Sequence, residues 1–258
     1  MTSTAAPSRR LQRVAGASLI VTVAAMIATP LFDRGGEERR VLANVVVLGL
    51  LGVGVMSAWL THGWRALYAA VVVGTVTFGI ELLGSSTGVP FGAYDYTDVL
   101  WPRLAGVPLI VAAAWTAITL IVFGIFQNLP GRAWQRVVVM AGAITAWDVF
   151  LDPQMVGEGY WRWETAVLNF RGIPAVNYAG WFVTALLNSL LVTRICGAGS
   201  TVRSHIAFTT YATLAVLSSI GFLFFFDDVV VAVTGAVAMG TFVVLRSKAV
   251  HRGIVEIR

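Results

Sequence analysis

Apolar residues recur in blocks of about twenty along the chain, at 14–32, 41–60, 65–84, 104–126, 134–151, 173–195, 206–226 and 229–245. A helix rising about 1.5 Å per residue needs about twenty residues to cross the hydrocarbon of a bilayer. The pattern predicts an all-α fold, a polytopic integral membrane helix bundle of about eight transmembrane helices, in a single domain over 1–258. The shallowest break is the last. Only Asp227-Asp228 interrupts the stretch from Ile206 to Leu245, which is too long for one crossing and so predicts a hairpin turning at the two aspartates. Reading through that break leaves seven spans. The first block follows Arg9, Arg10 and Arg13 and resembles a signal sequence, but without a small-residue cleavage site before a hydrophilic domain it reads as an anchor span. No internal repeat, low-complexity linker or second domain stands out.

Composition excludes a soluble fold: 57% of residues are apolar and only 12% charged, and the mean hydropathy is +0.80. The net charge of +5 does not point to nucleic acid, because no basic stripe carries interleaved aromatics for bases to stack on. It matches cytoplasmic loop chemistry instead. With the N-terminus inside, twelve Lys/Arg fall on the cytoplasmic side and six opposite, which predicts both termini cytoplasmic, with basic tails at 1–13 and 246–258. In that orientation every acidic residue but Glu256 lies in external loops or the outer ends of spans. The two longest connections, 85–103 and 152–172, are on the same side and dense in Gly, Pro, Tyr, Trp and Asp, so function is expected under these two loops. The expected location is the cell membrane.

Several chemistries drop out. Cys196 is the only cysteine, so there is no internal disulfide and no CxxC zinc or redox site, and it reads as a small buried hydrophobe. His62, His205 and His251 sit at cytoplasmic edges, away from the acids, and assemble neither a triad nor a metal site. Gly49, Gly52 and Gly54 lie within a span and follow no strand, so helix packing explains them better than a dinucleotide loop.

Four features can carry chemistry. Glu81 lies about one turn inside the third span, where an ionisable side chain costs up to about 3 kcal/mol and needs compensation. It reads as a candidate proton donor in a low-dielectric pocket, or else as a carboxylate tied to loop amides or to an arginine such as Arg103. Asp148 and Asp152, in Trp147-Asp148-Val149-Phe150-Leu151-Asp152-Pro153, are four apart and so share a helix face, with Pro153 expected to stop the helix. Such a pair suits acid and base work or a divalent cation. The stretch from Gly84 to Tyr96 has glycines at 84, 88 and 92 with Pro90, a non-helical backbone that membrane depth tolerates only when it is buried in protein or lines a cavity. In an extended segment Tyr94 and Tyr96 face one way around Asp95. Finally, Trp161 and Trp163 offer faces that stabilise cations, unless they are belt aromatics, and Asn177 is a membrane amide that should face the bundle interior.

These residues also resemble a family. Glu81-x-x-Gly84-x-x-Thr87-Gly88-x-Pro90-Phe91-Gly92-x-Tyr94-x-Tyr96, then Gly106-Val107-Pro108 with Trp115, Asp148-x-x-x-Asp152-Pro153, Trp161-x-Trp163, and Gly172-Ile173-Pro174-x-x-Asn177-Tyr178-x-Gly180-Trp181 look like the membrane-integral carotenoid hydratases of the CruF type, which include the bisanhydrobacterioruberin hydratases. The match runs in order over about residues 75–190. The resemblance implies cofactor-independent addition of water to the terminal C1=C2 bond of an acyclic carotenoid, lycopene-like or a C50 precursor. The substrate enters from the bilayer, other carotenoid-biosynthesis enzymes are candidate partners, and no metal is implied. Protonating C2 leaves a tertiary cation at C1. Glu81, Asp148, Asp152 and Asp95 are then the catalytic candidates, with Asp148 as proton donor and Glu81 as its partner or the water-activating base. Thr87, Phe91, Tyr94, Tyr96, Trp161, Trp163, Asn177, Tyr178 and Trp181 are the substrate-binding candidates.

Two rival readings remain. In a membrane prenyltransferase, Asp148-x-x-x-Asp152 and Asp95-x-x-Asp98 would hold Mg²⁺ against a diphosphate, although few basic residues are placed to grip phosphates. A proton-coupled transporter would stage its carboxylates across the bilayer depth, whereas here they gather at one end.

Overall fold

In a computed structural model, described over residues 9–164, 168–197 and 205–251, the chain forms eight long helices. These are α1 (Arg9–Ala28, continued by a 3-10 turn at Thr29–Leu31), α2 (Glu37–His62), α3 (Trp64–Thr87), α4 (Leu109–Phe126), α5 (Ala133–Gly157), α6 (Ala175–Cys196), α7 (His205–Phe224) and α8 (Val229–His251). Seven of them, all but α5, are long and apolar enough to cross a membrane. At 25 residues α5 spans about 38 Å, long enough to cross, but it carries Asp148, Asp152 and Pro153 and packs among α4, α6 and α8. The chain is a multi-pass membrane protein. Residues 1–8 and 252–258 of the two basic tails and 165–167 of the second loop lie outside the described residues, while Arg9, Arg10 and Arg13 already belong to α1.

The eight apolar blocks match the eight helices to within a few residues, and the expected hairpin at Asp227-Asp228 is present. Asp228 caps α8, accepting hydrogen bonds from the Val230 and Val231 amides at 3.1 Å each. Two expectations change. The fourth helix starts at Leu109 because a small hairpin occupies 103–108. Pro153 does not stop α5, which runs one turn further to Gly157. A proline removes one backbone donor, and so near a helix end the loss is small. The final turn is held by the Glu158 and Tyr160 amides, which donate to the carbonyls of Gln154 and Met155 at 2.9 Å.

Helix association in lipid relies on close packing of small residues. Gly54 of α2 lies where an added Cβ would sit 2.9 Å from the Ala117 carbonyl oxygen of α4, and Gly52 where it would meet Ser18 Oγ at 2.7 Å. These glycines are packing residues. Every residue of α4 from Ala114 to Phe126 is buried, which makes α4 the central post of the bundle.

The absence of an internal repeat is also corrected. Six short strands join the helices: β1 (Tyr94–Tyr96), β2 (Arg103–Leu104), β3 (Val107–Pro108), β4 (Trp161–Trp163), β5 (Asn169–Phe170) and β6 (Ile173–Pro174). The order helix, strand, two-residue hairpin, helix occurs twice, as α3-β1-β2-β3-α4 and α5-β4-β5-β6-α6. Both hairpins turn on two left-handed residues, Ala105-Gly106 (φ 49° and 85°) and Arg171-Gly172 (φ 55° and 83°), the requirement of a type I′ turn. The halves meet through equivalent parts. Antiparallel β1 and β4 pair Tyr94 with Trp163, Asp95 with Arg162 and Tyr96 with Trp161, and Trp115 of α4 stacks on Trp181 of α6 at 3.9 Å.

Candidate active site

Glu81, one and a half turns before the end of α3, is buried and receives three hydrogen bonds. The hydroxyls of Tyr94 and Tyr96 donate to its Oε2 at 2.7 and 2.6 Å, and the Trp115 indole N–H donates to Oε1 at 2.8 Å. This is the compensation that an intramembrane carboxylate requires. It comes from the aromatic residues, not from Arg103, which instead pairs with Asp98 at 2.9 Å. Alternation along β1 turns both tyrosines inward. Burial, then the nearby Glu81 charge, pushes both phenols well above their ordinary range, so they stay protonated and donate.

Asp148 and Asp152 share one face of α5, both fully buried. Their carboxyls share one donor, and Asp148 Oδ1 has no hydrogen-bond partner among the described residues. The Asn177 side-chain amide of α6 donates to both, to Asp148 Oδ2 at 3.2 Å and to Asp152 Oδ2. The membrane amide therefore does face the interior.

Glu81, Asp152 and Asn177 open onto one cavity of about 300 Å³. Its walls are mostly aromatic around these groups: Phe91, Tyr94, Tyr96, Trp115, Trp147, Tyr160, Trp161, Trp163 and Trp181. Trp147 meets Trp181 edge-on at 6.3 Å, Tyr96 meets Trp161 edge-on at 5.8 Å, and Tyr94 lies 5.7 Å from Trp163. The Phe91 ring is lodged between two helices at glycines. A Cβ on Gly84 of α3 would lie 2.8 Å from the ring, and one on Gly180 of α6 would lie 2.9 Å from it and 2.6 Å from the Pro90 carbonyl oxygen. Those two glycines let the loop after α3 sink between α3 and α6.

The structure brings together most of the residues singled out in the sequence, with four exceptions. Asp148 lies behind Asp152 and does not line the cavity. Asp95 is exposed, because the alternation that turns Tyr94 and Tyr96 inward turns it outward. Thr87 is exposed at the end of α3, its hydroxyl donating back to the Leu83 carbonyl at 2.7 Å, while Gly88 caps the helix. Tyr178 packs edge-on to Phe170 at 6.4 Å beside the carboxyl pair, outside the cavity lining. Asp95 and Asp98 are likewise not gathered with Asp148 and Asp152, and among the described residues no group of three or more His, Cys, Asp or Glu is placed to hold a metal.

Sequence reading missed a second polar feature of the same cavity. Arg39 of α2 forms a buried ion pair with Glu158, at the end of α5, and also donates through Nε to the Phe32 carbonyl at 2.8 Å. Burial and the Glu158 charge push the Tyr160 phenol beside it up to about 12. Both ionic residues looked like ordinary loop charges, with no motif to mark them. Trp115 and Trp147 stood within recognised motifs, but nothing in spacing showed that one would hold Glu81 and the other line the cavity.

Fold and site define a multi-pass membrane protein whose apolar, aromatic-walled cavity is floored by carboxyl groups. The sequence profile of the carotenoid biosynthesis protein family matches residues 43–246, and the chain belongs to that family, which places it in carotenoid biosynthesis. It is similar to the bisanhydrobacterioruberin hydratase of Haloarcula japonica, with 31% identity over 132 residues. That alignment covers 49% of this chain and 44% of the relative, so the matched region spans less than half of the relative's length. No solved structure matches the chain.

Proposed function

We propose that this protein is a hydro-lyase of the cell membrane that adds water to the terminal C1=C2 bond of an acyclic carotenoid taken from the bilayer. The observation that carries the reading is a buried pair of carboxyls, Asp148 and Asp152, joined through the Asn177 amide beside an apolar cavity walled by aromatic faces.

The cavity-facing Asp152, backed by Asp148, is the acid. Its proton passes to C2, the π electrons forming the new C–H bond and leaving a tertiary cation at C1. The faces of Trp147, Trp161 and Trp181 and the Glu81 carboxylate stabilise that cation, which gains most where water is excluded. A water held by the free carbonyl side of the Asn177 amide adds its lone pair to C1 and returns a proton to the carboxyl pair. One water is consumed and a tertiary alcohol forms, with no redox step. Because Tyr94, Tyr96 and Trp115 occupy the Glu81 oxygens as donors, Glu81 is assigned to charge stabilisation and Asp152 to proton transfer.

The test is expression in cells that accumulate acyclic carotenoids, including lycopene and an elongated C50 precursor, with pigment analysis by mass. Products one or two waters heavier are expected from the wild type. Asp152→Asn should lower their yield by about 10²–10⁴-fold, the usual range for removing an acid–base group, and Glu81→Gln by about 10²–10³-fold, the range for removing a charge-stabilising group. Pigments lengthened by prenyl units would establish the transferase instead, and unchanged pigments from a folded protein would remove the hydratase reading.

A further inference from the structure

At about 300 Å³ the cavity that holds the carboxyl groups is too small to enclose a long polyene, so a substrate whose end group reaches Asp152 must leave the protein along its length. On three sides the walls are closed. The Trp115–Trp181 stack seals the junction of α4 and α6, and Phe91 fills the seam between α3 and α6. Across the loop end lie the β1–β4 ribbon and the Arg39–Glu158 pair, with Arg34 donating to the Phe225 carbonyl and covering the Phe226 ring at 5.0 Å. The fourth side differs. Ile27 near the end of α1, Ile220 in the last turns of α7 and Phe225 just after it line the cavity and are also 58%, 41% and 46% exposed, whereas the other lining residues are buried or half-buried. Wall residues this exposed mark where the cavity opens, and these residues are apolar, as an opening into lipid requires. Gly221, in the same wall, sits where an added Cβ would meet no atom within 4 Å.

We infer that the gap between the end of α1 and the last turns of α7 is a lateral portal, through which the apolar chain of the substrate passes between the lipid and the carboxyl-floored cavity. This inference rests on the hydratase reading and adds the route. The portal places the reacting end group inside and leaves the polyene lying between α1 and α7 or in the adjoining lipid.

The experiment compares purified wild type with Gly221→Phe, which fills the gap from one rim, and Ile27→Trp, which narrows it from the other. Leu223→Trp, on the outer face of α7 and not part of the cavity lining, is the control. Carotenoid hydration is followed as kcat and KM in detergent, with thermal unfolding measured alongside. Both rim variants are expected to lose about tenfold or more in kcat/KM, the scale of overpacking a fitted site, with kcat largely retained and the control like the wild type. Ile27→Trp alters an exposed side chain and keeps the test available should Gly221→Phe fail to fold. Rim variants that match wild type overturn the portal while leaving the hydratase reading intact, and so does a loss confined to kcat, which would place the rim in the reacting site. A folded wild type that hydrates nothing overturns the hydratase reading itself.

Discussion

Three donors converge on Glu81, and each has one reason to be there: a carboxylate without partners in a membrane interior costs several kcal/mol. A hydrogen bond to a charged group contributes about 1.5–3 kcal/mol. Tyr94→Phe or Tyr96→Phe is therefore expected to lower hydration by about ten- to a hundredfold in the pigment assay, with the double variant near the level of Glu81→Gln. The phenols also set an alkaline limit. Their folded pKa values lie above the unfolded value near 10, so they contribute stability that is complete below about pH 10. Above that pH the unfolded chain releases protons that the folded chain keeps, and stability falls as pH rises. Replacing both with Phe should make the fall between about pH 10 and 12 shallower, by up to about 2.7 kcal/mol per pH unit for two groups. Denaturant melts at stepped pH would show it, and an unchanged slope would mean the phenols are not buried against Glu81.

At the scale of elements, Phe91 depends on the absence of two side chains. Gly180→Ala places a methyl against the Pro90 carbonyl and the Phe91 ring, backbone on one side and a wedged ring on the other, so neither yields cheaply. The expected cost is about 1–3 kcal/mol of stability together with lost hydration, because Phe91 leads directly into Tyr94. A variant with the wild-type unfolding temperature would show that the loop does not seat there. The helices themselves were legible from apolar block length alone, since span length is set by the bilayer and not by tertiary context. The inward pair Tyr94 and Tyr96 and the shared face of Asp148 and Asp152 followed from strand and helix periods. The repeat was not legible, although its marks are in the chain: Gly106-Val107-Pro108 and Gly172-Ile173-Pro174, with Trp115 and Trp181 each seven residues past the proline. Short strands of three and two residues carry too little pattern to be recognised, and the two copies hold different side chains at most other positions. Glu81 lies thirteen residues before Tyr94 and Asp148 thirteen before Trp161, so equivalent places in the two halves carry two carboxyls with different partners. One is held by three donors of its own, and the other shares the Asn177 donor with Asp152.

At the scale of the whole molecule, the site lies where the two halves join, and the outer helices α1, α2 and α7 complete the cavity around it. The Arg39–Glu158 pair is the polar tie between these parts, joining α2 to the end of α5 with side chains only 6% and 2% exposed. It could not be read from sequence because its partners are 119 positions apart and each sits beside other loop charges. A pair buried this deeply loses much of its attraction to desolvation, so its presence is weak evidence of net stability, whereas removing one partner strands a charge. Arg39→Leu or Glu158→Leu alone should therefore cost about 3–5 kcal/mol, and the double variant should recover most of that loss. A double-mutant cycle on thermal or denaturant unfolding in detergent measures the coupling directly. If the single losses simply add, the two side chains act independently and α2 is held to α5 by packing alone. If they couple, the tie fixes the position of α2 against the carboxyl-bearing helix, and the double variant should fold well yet hydrate differently, since the same two residues form part of the cavity wall.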